Sequence, residues 1–393
     1  MVKPNVHYAD LQDAYLFRRI AEKTDSYLAS HPGARLLRMG IGDVSLPLVP
    51  AVTEALHQAV RDQENQSTFH GYMPECGAAF LREGIAAHYA SRGIQLDADE
   101  VFVSSGASDE LGDILHLFDP ASPSLIMEPA YPAYVDANIM DGRPVRHLPA
   151  SKADGFLPVP PEEEDIGLIY LCSPNNPTGA VYDRAKLAAW VAYARKIGAV
   201  ILFDAAYEAF IEEEVPHSIF EIDGARECAI EICSLSKTAG FTGTRLGYTI
   251  LPRELERGGM NFRSMWVRNR TTRTNGVSYI LQRGGAAVFT PEGRKQVMEN
   301  IAVYKRNARM LMEVFDQLGL WYCGGKNAPY LWVECPKGLG SWEFFDLLLR
   351  EIQVVATPGA GFGACGEGFI RFSTFASPDA TAEAASRILH LLK

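Results

Sequence analysis

The middle of the chain alternates short apolar runs with longer amphipathic segments, a pattern typical of strands joined by crossover helices. Residues 167–171 form one apolar run, after which Asp183 begins a predicted helix and Gly198 ends it. The next run, residues 199–203, is apolar throughout, as expected for a strand covered on both faces. The other predicted strands are 101–103, 125–127, 229–233 and 246–251. This pattern predicts an α/β fold with a mostly parallel sheet.

The pattern changes after about residue 285, which indicates a second unit. Here the sequence predicts helices over 290–318, over 341–351 and from Pro378, and strands over 330–334, 354–356 and 369–373. We expect a large domain of residues 46–285. Residues 286–393 are expected to form a smaller α+β domain, which residues 1–45 join as an N-terminal arm.

Composition and charge exclude several classes of protein. Hydrophobic residues make up 47% and charged residues 22% of the 393, as in ordinary globular proteins. The net charge of −11, without a basic stripe, argues against nucleic-acid binding. No apolar run approaches the roughly 18 residues of a membrane span, and Asp10 and Asp13 interrupt the region where a signal peptide is apolar. We therefore expect a soluble, cytoplasmic protein. The seven cysteines and nine histidines are dispersed, so no metal site is expected.

Three polar residues follow predicted strands of the large domain, namely Asn176, Asp204 and Lys237. In open α/β sheets, ligands bind at the carboxyl ends of the strands, so these side chains are expected to share one crevice. An amide, an acid and an amine in one crevice suit a cofactor that carries an aldehyde and a ring nitrogen. The residues therefore point to pyridoxal 5′-phosphate held as a Schiff base.

The segments around these residues resemble the class I aminotransferases of pyridoxal-phosphate fold type I. Residues 234–241 (SLSKTAGF), followed by 245–247 (RLG), resemble that family's Schiff-base lysine motif. Residues 173–179 (SPNNPTG) and 204–207 (DAAY) resemble its two other hallmarks, in the same order. The resemblance implies a seven-stranded type of sheet sandwiched by helices, amino-acid and 2-oxo-acid substrates, and a homodimer with shared active sites.

The resemblance also implies roles for residues around the cofactor ring. Lys237 would hold the cofactor and move a proton between the substrate Cα and the cofactor. Asp204 would pair with the pyridine nitrogen. Asn176 and Tyr207 would donate to the phenolic oxygen of the ring. Tyr131 would stack on the ring, although a core aromatic is the alternative interpretation.

The cofactor phosphate requires backbone amides and cations. Ala107 and Ser108 follow the strand 101–103 and precede an apolar helical pattern, so their N–H groups could lie at a helix N-terminus. Ser234, Ser236 and Arg245 match the family's remaining phosphate ligands. Ser108 stands where many members of the family carry lysine, and Leu235 replaces a common aromatic residue.

Arg371, in the predicted strand 369–373, corresponds to the family's arginine that binds the substrate α-carboxylate as a bidentate fork. Just before it, residues 361–366 fit the pattern G-x-G-x-x-G. A dinucleotide site needs a helix after these glycines, whereas a strand pattern follows them here. We expect the glycines to shape the turn that delivers Arg371.

Further segments are similar to the LL-diaminopimelate aminotransferase branch of the family: 14–17, 40–43, 69–75 and 274–276. This likeness implies amino transfer between LL-diaminopimelate and 2-oxoglutarate, with Gly42 in the substrate site. Glu75, with Tyr15 and Asn275, would reach into the site of the neighbouring subunit and recognise the distal ammonium of the substrate bound there. Tyr72 would contact the cofactor phosphate of that same subunit. Alternatively, Glu75 is a solvated turn residue.

Other functions stay open at this stage. The enzyme could be an aminotransferase of broader specificity for aspartate, alanine or aromatic substrates. It could also be a pyridoxal-dependent lyase or decarboxylase, because Lys237 and Asp204 would serve those reactions equally. A cofactor-binding module of a transcription regulator would need an attached basic helix-turn-helix, and the residues before the predicted catalytic domain are too few for one.

Overall fold

A computed structural model describes residues 1–11 and 16–393, so Tyr15 lies outside the described residues. Twelve α-helices occur in these ranges: α1 (Leu16–Ser30), α2 (Pro50–Asp62), α3 (Ala79–Ala90), α4 (Ala107–Asp113), α5 (Pro132–Met140), α6 (Arg184–Ile197), α7 (Leu235–Thr238), α8 (Phe262–Arg273), α9 (Tyr279–Val288), α10 (Pro291–Gln317), α11 (Ser341–Ile352) and α12 (Pro378–Leu392). Short 3-10 helices lie at Val6–Asp10, Ala98–Glu100, Ile114–Leu117, Lys152–Asp154, Glu208–Phe210, Ile219–Glu221, Ala225–Glu227, Pro336–Gly338, Gly359–Phe362 and Ala364–Gly366.

The strands form one large sheet and several small ones. They are β1 (Leu37–Arg38), β2 (Val101–Ser104), β3 (Ser124–Glu128), β4 (Val145–Pro149), β5 (Leu168–Cys172), β6 (Val200–Asp204), β7 (Ala229–Ser234), β8 (Gly247–Ile250), β9 (Glu256–Arg257), β10 (Met260–Asn261), β11 (Tyr322–Gly324), β12 (Tyr330–Glu334), β13 (Val354–Val355), β14 (Thr357–Pro358) and β15 (Phe369–Ser373). The large sheet has seven strands in the order β2-β8-β7-β6-β5-β3-β4. Only β8 runs antiparallel to its neighbours in this sheet. The predicted fold class, an α/β fold with a mostly parallel seven-stranded sheet, is confirmed.

The large sheet is covered by helices on both faces, which explains its uninterrupted apolar strands. In β6, Ile201 and Phe203 join one hydrophobic cluster together with Trp190 of α6. Their neighbours Val200 and Leu202 join a second cluster. Because side chains alternate between the two faces of a strand, both faces of β6 are buried. The one charged residue of β6, Asp204, lies at its carboxyl end.

A third hydrophobic cluster joins the N-terminal segment to the C-terminal segment. Leu16 and Ile20 of α1 pack with Trp332, Phe345 and other residues of the C-terminal part. β1 pairs in parallel with β13, and the antiparallel sheet β11-β12-β15-β14 completes this smaller α+β unit. The expectation that the two chain termini form one unit is confirmed. The domain boundaries at residues 45 and 285 stay predictions.

The described ranges contain no helix that is both long and apolar enough to cross a membrane. Within the same ranges, no group of three or more His, Cys, Asp or Glu side chains could hold a metal ion.

Candidate active site

A cavity of about 530 Å³ lies where the carboxyl ends of β3, β5, β6 and β7 face the smaller unit. Most of the predicted site residues line it: Gly42, Ala107, Ser108, Tyr131, Asn176, Asp204, Tyr207, Ser234, Ser236, Lys237, Arg245 and Arg371. They come from seven separate segments of the chain. The parallel strands thus bring together residues that are distant in sequence, as expected for a ligand site in an open α/β sheet.

Lys237 is held by the short helix α7, which starts directly after β7. Ser234, the last residue of β7, caps this helix by accepting a hydrogen bond from the Ser236 N–H. Burial lowers the pKa of Lys237 to about 8; Asp43 opposes this effect, while Arg245 and Arg371 reinforce it. The amine is therefore readily deprotonated, and an uncharged amine is the form that attacks an aldehyde.

Asp204 ends β6 and is buried below the cavity. Its Oδ2 accepts a hydrogen bond of 2.6 Å from the Tyr134 hydroxyl, and its Oδ1 accepts one of 2.9 Å from the Ala206 N–H. Burial raises the pKa of Asp204, and these two hydrogen bonds act in the opposite direction. Because a buried carboxylate is costly without a partner, this geometry suits a ligand with a positive charge on the cavity side.

At one end of the cavity, donors converge in a way that suits an anion. The Arg245 guanidinium donates to the Ser236 hydroxyl at 3.1 Å. Gly106 has φ +129°, and a Cβ on it would lie 2.4 Å from the Arg245 Nη2 atom. Only glycine therefore lets this guanidinium lie against the start of α4, where Ala107 is the first residue. Hydroxyl, guanidinium and helix-start amide groups together fit a phosphate.

Arg371, in β15 of the smaller unit, supplies a second, buried cation. Its Nη1 atom donates to Asn176 Oδ1 at 2.5 Å, and its Nη2 atom donates to the Gly40 carbonyl at 2.7 Å. The guanidinium lies 4.3 Å from the centre of the Tyr330 ring and 4.9 Å from that of Phe362. Its buried Nε has no hydrogen-bond partner among the described residues. A buried guanidinium that still has a free donor fits a carboxylate ligand.

The tyrosines around the cavity are fixed by their neighbours. The Tyr207 and Tyr330 hydroxyls lie 3.0 Å apart. A Cβ on Gly42 would lie 2.8 Å from the Tyr330 hydroxyl, so a side chain there would crowd it. Tyr131 is half-buried and meets Tyr134 edge to face, with 5.6 Å between ring centres. Tyr131 therefore presents a ring to the cavity rather than filling a closed core.

Four predicted site residues remain, of which three are described, and none of these three lines the cavity. Tyr72 is 87% exposed, Asn275 is exposed and Glu75 is half-buried; none of them lines the cavity. The loops that carry them are in contact, because a Cβ on Gly276 would lie 2.7 Å from the Met73 carbonyl. Tyr15 lies outside the described residues. The roles of these four stay predictions.

Several residues that line the cavity were not predicted from the sequence, among them the polar residues Asp43, Tyr134 and Tyr330. Tyr134 follows Tyr131 by three residues, a spacing that places both near the start of α5. Tyr330 is in β12 beside β15, where it pairs with Ser373, two residues after Arg371. Neither tyrosine belongs to a motif; only the closeness of Tyr134 to Tyr131 in the sequence could have pointed to it, and Tyr330 is brought near Arg371 by strand pairing alone.

The seven-stranded sheet has a cavity with a lysine at the carboxyl ends of its strands. This arrangement defines an α/β enzyme of pyridoxal-phosphate fold type I. The family model for aminotransferase class I and II matches residues 34–388. The chain belongs to this family, and it is an aminotransferase.

The chain is similar to several named proteins along its whole length. LL-diaminopimelate aminotransferase of Lawsonia intracellularis is 47% identical, with 99% of this chain and 98% of the relative covered. The protein of the same name from Lachnospira eligens is 46% identical, with 99% of each covered. The structure of L,L-diaminopimelate aminotransferase from Chlamydomonas reinhardtii is 36% identical, covers 100% of this chain and 99% of its own, and has a TM-score of 0.94.

Proposed function

We propose that this enzyme uses pyridoxal 5′-phosphate to transfer an amino group between LL-diaminopimelate and 2-oxoglutarate. The observation that carries the proposal is that one cavity is lined both by Lys237, whose pKa is lowered to about 8, and by the buried carboxylate Asp204. The names of the similar proteins support this choice of substrate.

Three separate sets of residues in the cavity support this choice of cofactor, one for each of its reactive or charged parts. Ser234, Ser236 and Arg245 would hold the phosphate, Asp204 the ring nitrogen, and Lys237 the aldehyde. When bound, pyridoxal phosphate supplies an aldehyde that reacts with amines and a protonated ring that withdraws electrons from the substrate Cα.

The chain's own residues would then carry out the remaining work. Asn176 and Tyr207 would orient the ring through its phenolic oxygen. Lys237, once its amine is free and uncharged, would take a proton from the substrate Cα and deliver it to the C4′ atom of the cofactor. Arg371 would bind the α-carboxylate with the donor that is unpaired in the described chain, which fixes the Cα beside Lys237.

The substrate preference can be tested with purified enzyme and separate half-reactions. We expect LL-diaminopimelate and glutamate each to convert the cofactor-loaded enzyme to its amino form, with spectral changes that 2-oxoglutarate reverses. The meso isomer, aspartate and phenylalanine should react at least about tenfold more slowly, as expected when distal groups contribute specific hydrogen bonds. Comparable rates with aspartate or phenylalanine would indicate a broader aminotransferase, and product formation without any 2-oxo acid would indicate a lyase.

We further propose a homodimer in which each subunit completes the other's site. Glu75 and Asn275 lie in two loops that touch each other but do not line the cavity of their own chain. Together with Tyr15, they would face the distal end of the substrate in the neighbouring subunit, and Tyr72 would reach its phosphate. In a twofold dimer such an exchange is reciprocal, so both sites would be completed at once.

Replacing Glu75 with glutamine tests the distal contact. We expect kcat/KM for LL-diaminopimelate to fall roughly tenfold or more, because a charge-assisted hydrogen bond to the distal ammonium is lost. The value for glutamate, which has no distal ammonium, should change less than about threefold. Glu64→Gln, at an exposed position nearby, is the matched control. Equal losses for both substrates would contradict the assignment.

Mixed dimers show which subunit supplies Glu75. When equal amounts of subunits with Glu75→Gln and subunits with Lys237→Ala are combined, half of the dimers are mixed. If Glu75 acts across the interface, one of the two sites in each mixed dimer has both residues intact. About a quarter of all sites should then be active with LL-diaminopimelate if Glu75 acts across the interface. If Glu75 acted within its own chain, mixing would restore nothing.

A further inference from the structure

Both oxygens of the Asp204 carboxylate are held from below the cavity. Tyr134 donates to Oδ2 at 2.6 Å and the Ala206 N–H donates to Oδ1 at 2.9 Å. These are the hydrogen bonds that Asp204 accepts within residues 1–11 and 16–393. The Ala206 amide is part of the local turn, so Tyr134 is the side chain that links Asp204 to another element, helix α5.

Tyr134 is itself fixed by a buried polar frame. It is 3% exposed, and its ring lies 5.2 Å from the ring of Tyr170 in β5. One turn later in α5, Asn138 donates to the Tyr134 carbonyl at 2.7 Å and to the Tyr170 hydroxyl at 2.9 Å. Ser124 of β3 donates to Asn138 at 2.6 Å. The Tyr134 hydroxyl therefore reaches Asp204 from a rigid support, and little entropy is lost in forming the bond.

The electrostatics of this pair depend on few groups. The titratable side chains that face Asp204 are Tyr134, Cys172 and Tyr207. Burial raises the pKa of each of these three groups, so all stay protonated and uncharged near neutral pH. Burial also raises the pKa of Asp204, whereas the Tyr134 hydrogen bond lowers it. Tyr134 thus offers a permanent donor that favours the ionised carboxylate.

We propose that Tyr134 is a positioning residue that keeps Asp204 ionised and aimed at the ring nitrogen of the cofactor, an inference that rests on the proposed function. An uncharged carboxylic acid could not hold the ring nitrogen as a cation. Without the Tyr134 donor, the proton shared between Asp204 and the ring moves toward Asp204. The ring then withdraws less electron density from the substrate Cα.

The holoenzyme loaded with ring-15N pyridoxal phosphate tests this directly. In Tyr134→Phe we expect the 15N resonance to move toward that of an unprotonated pyridine, and the apparent pKa of the ring nitrogen to fall. The value of kcat should drop roughly 10- to 150-fold, as for the loss of a hydrogen bond to a charged group, with KM changed less than about threefold. Tyr193→Phe is the matched control, because it removes a tyrosine hydroxyl that donates to the Glu163 carbonyl and contacts neither Asp204 nor the frame around Tyr134.

Each outcome decides between the alternatives. A Tyr134→Phe enzyme with wild-type 15N titration and kcat would overturn the role of Tyr134 while leaving the proposed function intact. A wild-type enzyme that binds no pyridoxal phosphate would overturn both. If Tyr134→Phe does not fold, 3-fluorotyrosine at position 134 retains the ring and strengthens the donor. The apparent pKa of the ring nitrogen should then rise, and an unchanged value would refute the inference.

Discussion

Replacing Lys237 with alanine is expected to abolish amino transfer, lowering kcat by roughly 10⁴-fold or more. Of the described residues that line the cavity, only Lys237 is a lysine. Its lowered pKa, about 8, makes its amine the group that can be both a nucleophile and a base near neutral pH. The cavity offers no second amine in the described ranges to take over either task.

The measurements separate chemistry from binding. Wild-type enzyme treated with pyridoxal phosphate and borohydride should gain a stable adduct on the peptide that contains Lys237, whereas Lys237→Ala should gain none there. The variant should still bind the cofactor, because Asp204 and Arg245 remain in the cavity. Added methylamine is expected to restore part of the proton transfer, since it supplies a small free amine where the side chain was removed.

Two control variants sharpen this result. Lys237→Arg keeps a positive charge, but a guanidinium is not deprotonated in proteins, so this variant should be as inactive as Lys237→Ala. Lys326→Ala removes an exposed lysine that pairs with Glu213, and it should react like wild type. A Lys237→Ala enzyme that is still yellow and active would refute the assignment of this residue.

The large sheet was predictable because its central strands are buried on both faces. Such strands are apolar throughout, and the runs at 199–203 and 229–233 agree with β6 and β7 within one residue at either end. β4 was missed, since this edge strand (Val145–Pro149) contains an arginine and a histidine and is only partly buried. A half-exposed edge does not need an apolar run, so its sequence carries a weaker signal.

The cavity residues were predictable to the extent that short motifs carry them. Lys237 and Asn176 follow strands of the large sheet and Asp204 is the last residue of another, so strand order brings the three together. Tyr134 and Tyr330 carry no such signal, because their contacts depend on how α5 and β12 pack against other elements. The hydrophobic periodicity of the sequence does not predict tertiary contacts of this kind.

The residues expected to act across a dimer form a separate case. Glu75 and Asn275 come from loops on the surface of one chain, and neither pattern nor burial says which cavity they serve. Their assignment depends on a second subunit, so it stays a prediction until the mixed dimers are measured.

The second large effect is expected for Asp204→Asn. We expect kcat/KM for both half-reactions to fall roughly 100- to 5,000-fold, which corresponds to the 3–5 kcal/mol lost when one partner of a buried charge pair is removed. Asparagine has nearly the same shape, so the cavity should keep its form. What it lacks is the negative charge that stabilises a protonated ring nitrogen.

Asp204→Asn can be separated from a general loss of structure by its control and by rescue. Asp136→Asn changes a half-buried carboxylate on α5 that does not line the cavity, and its activity should stay within about threefold of wild type. A cofactor analogue methylated on the ring nitrogen has a permanent positive charge, so it needs no proton there and should recover part of the rate in Asp204→Asn. Because the Tyr134→Phe change leaves the carboxylate in place, its loss should be the smaller of the two. Wild-type rates in Asp204→Asn, or a loss that the methylated cofactor does not reduce, would mean that the buried charge serves the fold rather than the reaction.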